Sequence, residues 1–209
     1  MVGRPRRVLI ALVAMLLLAS TTQMALARSL SLSSSTFRVT WTPLQFSETE
    51  EITRCNITLE GSFHSSTFAK TSGALIGYIT SATVGSCPAG SARFSQETLP
   101  WHVRYGAFTG TLPNVTGVAL DFVGFFHLIV GPGGFQRCEY VFTAEEPGRI
   151  IANVGAGGAI TSARMDETRG HTLINERLTF VRCPRTLRPR GTGAMTVLNS
   201  TTSITVRLI

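Results

Sequence analysis

Between Pro100 and Phe142 the chain reads PWHVRYGAFTGTLPNVTGVALDFVGFFHLIVGPGGFQRCEYVF, three apolar-alternating runs parted by two turn signals. A stretch of this kind can bury its large side chains and pair its backbone as an antiparallel meander. Trp101, Val103 and Tyr105 alternate with His102 and Arg104, the period of two of a strand with one buried face. Leu120, Phe122, Phe126, Leu128 and Val130 fall on even positions of the next run, with Gly124 among them. Pro113-Asn114 suits a tight turn, because proline presets φ and asparagine tolerates positive φ. Folding there pairs Trp101 with Phe126 and Tyr105 with Phe122. Pro132-Gly133-Gly134 suits a three-residue hairpin. It sets Phe126 beside Tyr140 and Leu128 beside Cys138. Both turns place Trp101, Phe126 and Tyr140 in one inward-facing row.

The rest of the chain repeats this texture. Phe37, Val39 and Trp41 alternate with Arg38 and Thr40; Cys55, Ile57 and Leu59 alternate with Asn56 and Thr58. Further strands are predicted over 74–84, 92–94, 149–154, 159–163, 178–183, 195–198 and 203–209, while 28–35 reads as a frayed terminus and 47–51 as a loop. The stretch 165–176 fits one helical turn or a long loop. No apolar repeat of 3.6 residues is sustained beyond the first 27 residues. The expected fold class is therefore all-β, an antiparallel β-sandwich or a flattened or closed β-barrel.

The first 27 residues belong to another pattern. Arg4, Arg6 and Arg7 precede an apolar run from Val8 to Ala19, and Ala25-Leu26-Ala27 is a small-x-small cleavage site. The run is too short for the ~20 residues of a spanning helix. It reads as a secretory signal peptide, residues 1–27, followed by a single domain over 28–209 that has no membrane span and is expected outside the cell. Lysine plus arginine then falls from 19 to 16 against 12 acids, so the net charge drops from +7 to +4. The excess is scattered, apart from Arg182, Arg185, Arg188 and Arg190, and a nucleic-acid partner is not supported. Lys70 is the lone lysine among arginines, a bias of GC-rich, bacterial coding.

Four cysteines in an exported chain read as two disulfides. Three connectivities are open. Cys55–Cys87 and Cys138–Cys183 are favoured, because each pairs a strand cysteine with a later Cys-Pro. Arg54-Cys55 and Arg137-Cys138 even echo one another, too briefly to establish a duplication. Neither a Cys-x-x-Cys nor a His-Glu-x-x-His occurs, so no metal site is predicted, and no cofactor motif is found. No Gly-x-Ser-x-Gly elbow supports a hydrolase. Gly155 to Gly158 lacks the Lys-Ser/Thr of a phosphate loop and reads as a bend. Asn56, Asn114 and Asn199 head Asn-x-Ser/Thr triplets that matter only in a glycosylating host.

The candidate site comes from the other side of the meander. The same registers put His102, Arg104, Val123, Phe125, His127, Ile129, Arg137, Glu139 and Val141 on the outward face, with His127 across from Glu139 and His102 across from Phe125. Apolar groups in such number imply either a covering layer, such as residues 164–176, or a docking surface. In the second case His102, Arg104, Phe125, His127 and Glu139 are the binding residues. The function expected is a secreted, non-catalytic binding or structural module with an extracellular ligand or protein partner. The alternative is a secreted hydrolase of glycan or peptide, its catalytic groups assembled across strands.

Overall fold

The computed structural model describes residues 29–47, 51–88, 91–111, 114–130, 136–177 and 183–209. The leader expected over 1–27, the turn residues Pro113 and Pro132 to Gly134, and the strand expected over 178–182 lie outside the described residues, as does most of the 47–51 loop. The described residues form fifteen strands: β1 (Ser29–Leu32), β2 (Thr36–Ser47), β3 (Glu51–Phe63), β4 (Thr67–Ala69), β5 (Leu75–Val84), β6 (Ser91–Phe94), β7 (Trp101–Thr111) and β8 (Asn114–Val130). They continue with β9 (Gln136–Phe142), β10 (Gly148–Val154), β11 (Ile160–Met165), β12 (His171–Arg177), β13 (Thr186–Arg190), β14 (Thr192–Thr196) and β15 (Val206–Leu208).

Eight of these close a ring. Going round it, β2 pairs with β3, then β5, β7, β8, β10, β11 and β14 follow, and β14 pairs back onto β2. Every pairing is antiparallel, and the result is a closed eight-stranded barrel. Four more strands lengthen the wall at one end. β6 and β9 flank the second half of the 17-residue β8, β12 pairs with β9, and β13 joins β12 to β2. At the other end a three-stranded sheet, β15-β1-β4, buries Leu30, Leu32 and Val206, with Phe68 set 5.9 Å from Phe63 and 6.0 Å from Tyr105.

Alternation explains the wall. In β2, Phe37, Val39 and Trp41 are buried while Arg38 and Thr40 point outward. The interior is one continuous apolar core whose largest fully buried members include Trp41, Tyr140, Phe37, Phe46 and Phe142. Each such side chain contributes about 1.5–3 kcal/mol by leaving water. Their polar atoms find partners: Trp41 Nε1 donates to Ala163 O at 3.1 Å, Trp101 Nε1 to Thr98 Oγ1 at 2.9 Å, and Tyr140 Oη to Pro184 O at 3.0 Å. Both disulfides are the expected ones, Cys55–Cys87 and Cys138–Cys183, with S–S distances of 2.01 and 2.04 Å.

Three expectations change. The β8–β9 register is the one expected, with Phe126 on Tyr140, Leu128 on Cys138 and His127 on Glu139. The β7–β8 register is not: Tyr105 pairs with Leu120, Val103 with Phe122 and His102 with Val123. The closing pair is Thr111 with Asn114, so Asn114 belongs to β8 and not to the turn. Two irregularities, at Gly106 and near Gly110, offset each other. A shift of two preserves every inward and outward assignment. Trp101 therefore lies over Gly124, where a Cβ would come within 2.6 Å of the indole, and Phe126 instead lies between Phe94 of β6 and Tyr140. Phe94 meets Trp101 edge-on at 5.3 Å. Second, 28–35 is no frayed terminus, for Ser-Leu-Ser-Leu forms β1 with Leu30 fully buried. Third, 165–176 contains neither a helical turn nor a long loop; a short turn after Met165 leads into β12.

Candidate binding surface

The barrel interior is a core, and it leaves little room for a substrate. Among Trp41, Leu44, Ile57, Trp101, Phe122, Met165 and their neighbours there is one cavity of about 30 Å³ with no polar atom in its walls. A space of that size and character neither holds water well nor admits a ligand. Eight strands enclose just enough width for side chains to fill or for one small ligand, and here the aromatic side chains fill it.

On the outer wall, the five sequence-predicted residues divide into two groups. His102 is exposed on β7, and Arg104 is half-exposed two positions on. His127 and Glu139 pair across β8 and β9, with Arg93 of β6 on the far side of His127 and Asn175 of β12 on the far side of Glu139. Phe125 pairs with Val141. The side chains of Phe125 and His127 lie outside the described residues. Since His102 sits opposite Val123 rather than Phe125, it is four residues, ~13 Å, from His127 along β8. They do not form one compact cluster. Val123 and Val141 are half-buried and Glu139 is buried, so this part of the wall is not a bare apolar patch. The 164–176 segment does not fold over it, because β11 and β12 are themselves part of the wall.

Around His102 and Arg104 the structure gathers residues that no local pattern announced. The rings of His64 and Tyr78 lie 5.0 Å apart and those of Tyr78 and His102 5.5 Å apart, a tilted row across β5 and β7 that starts just past the end of β3. Beside it runs a row of alternating charge. Arg104 pairs in register with Asp121, and Asp121 with Arg149. Arg149 grips Asp121 with both arms, Nε to Oδ1 at 2.6 Å and Nη2 to Oδ2 at 2.9 Å. The hydrogen bond to Asp121 is the largest influence raising the guanidinium pKa further, against a smaller desolvation penalty. Asp166 N then donates to Arg149 O at 2.9 Å, extending the row to β11, and Glu167 beside it pairs with Arg190. Gly106 makes space for the Asp121 carboxylate, whose oxygens would lie 3.2 Å from a Cβ there. Arg104 has no ion-pair partner among the described residues.

The walls of β2 and β3 carry Arg38, Thr40, Gln45, Asn56, Thr58 and Glu60, half-buried polar and charged groups. No helix among the described residues is long and apolar enough to cross a membrane. No group of three His, Cys, Asp or Glu among the described residues is arranged to hold a metal ion. Compared with protein-family models, with curated proteins and with solved structures, the chain matches none.

Proposed function

We propose that the chain is an exported, non-catalytic β-barrel module that works outside the cell by binding a partner on its outer wall. The observation that carries this reading is the filled interior: where a barrel enzyme or carrier would hold its ligand, the described side chains leave a cavity of about 30 Å³ of apolar space. Two disulfides, each worth roughly 4 kcal/mol in the loop-closure model, suit an oxidising compartment. The contact residues assigned are His102 and Arg104, joined by His64 and Tyr78, with Phe125, His127 and Glu139 further along β8 and β9. Arg104, without an ion-pair partner among the described residues, supplies a guanidinium, and the ring row supplies stacking surface.

The test uses the full chain expressed in a bacterial host. The exported protein should begin at Arg28 and contain no free thiol; full-length chain with four thiols would sink the export reading. A photoreactive residue at position 102 should then capture a defined partner from the culture, while the same residue at position 38, on a different part of the wall, should not. Equal capture at both positions, or turnover of a peptide or glycan panel, would overturn the assignment.

A further inference from the structure

At the end of the barrel covered by the small sheet, an open groove of about 620 Å³ runs between β15 and the start of β8, with the 155–158 turn at its head. Two strand edges line it. Pairing between β10 and β8 stops at Asn153 and Gly117, so Asn114 to Thr116 have no strand partner on that side among the described residues. Among the described residues β15 pairs with β1 alone. Its outer edge is held as far as Thr205, by Ile160 N to Ile204 O at 2.8 Å and a bridge from Ala159 to Thr205. Hydrogen bonding between the two segments ends there, although Gly158 still lies against Val206, so the edge opens only at Leu208. Gly158, at φ +81°, allows the passage, since a Cβ would stand 2.4 Å from Val206 O.

The phase of the β1–β15 ladder decides what the free edge offers. Ser29 and Ile209 exchange two hydrogen bonds, 3.1 and 3.0 Å, and Leu30 pairs with Leu208. In an antiparallel ladder the bonded pairs alternate with unbonded ones. The N–H and C=O of Leu208 therefore point away from β1 and into the groove. Among the described residues lining the groove Arg207 alone is charged; it is exposed and has no partner among them.

We propose that this groove receives an extended peptide segment of a partner protein, added as a strand to β15, with an acidic side chain against Arg207. Unpaired main-chain donors and acceptors are matched by another main chain in extended form, the mode of strand addition. The turn at the head of the groove contributes glycines at 155, 157 and 158 and so leaves the approach clear of side chains. A second copy is a poorer occupant. Antiparallel pairing of two β15 edges about their centre would set two Arg207 side chains directly opposite, and like charges there repel. This site is remote from the His102 wall in the fold, and its test does not involve that surface.

The probe is a fluorescein-labelled, doubly capped peptide, Thr-Val-Glu-Val-Thr, titrated onto the oxidised protein and followed by anisotropy. It should bind about tenfold more tightly than the same peptide with Lys for Glu. N-methylation of its two valines should abolish binding. Leu208→Pro removes a donor that β1 does not use and should weaken binding at least about tenfold with an unchanged melting temperature. Should that variant fold poorly, Arg207→Glu decides, because it should reverse the preference towards the Lys peptide. Equal affinity for the two peptides, full binding by the N-methylated one, no binding by any, or dimerisation in place of binding would overturn the proposal.

Discussion

Tyr105 is buried in the barrel, yet among the described residues its hydroxyl has no hydrogen-bond partner, unlike that of Tyr140. Burial raises its pKa above 10.0, because the low-dielectric surroundings disfavour the phenolate. Above about pH 10 the unfolded chain ionises first, so the folded state loses stability as pH rises through and beyond that value. Tyr105→Phe should remove that alkaline loss and leave stability at pH 7 within about 1 kcal/mol of the parent, as measured by urea titration at both pH values. A marked loss at pH 7 would mean that the hydroxyl is bonded after all. Gly124→Ala makes the opposite case: its Cβ would press into the Trp101 indole at 2.6 Å, and overpacking of this kind costs about 1–3 kcal/mol. The apolar alternation around Gly124 was visible in the sequence. That an indole would occupy its empty place was not, because this depends on a register set by two compensating irregularities.

At the scale of strands, what was legible followed local chemistry. Pro132-Gly133-Gly134 led to the right β8–β9 pairing, and a strand cysteine followed by a distant Cys-Pro led to both disulfides. β1 was missed since two leucines among serines carry little signal, and Leu30 becomes core only when β4 and β15 flank it. The charge row of Arg104, Asp121 and Arg149 was equally hidden, as its members lie on three strands and meet only through the register. Removing β1's contribution with Leu30→Ala should cost about 2–5 kcal/mol, the range for a fully buried leucine, and a thermal melt would read it. Opening the Cys138–Cys183 link by replacing both cysteines with serine should cost about 2–5 kcal/mol, since it closes a 45-residue separation between β9 and the segment before β13. A double-serine protein melting like the parent would show that the denatured chain is already constrained there.

Considered whole, the molecule depends on one long-range closure, the pairing of β13 and β14 with β2. Sequence patterns supplied strands but could not say whether the sheet ends would meet, which is why sandwich and barrel were both open. A chain ending at residue 183 lacks β13 and β14 and should show no near-ultraviolet circular dichroism of fixed aromatics; a native-like spectrum would mean the wall holds without closure. The closure also imposes a timetable. β2 is made early, and its second neighbour follows ~150 residues later, roughly 8–30 s of synthesis at ordinary elongation rates. Until then the growing wall has two raw edges, each able to recruit a stray strand. A chain so arranged reaches its resting shape only after β14 has been delivered.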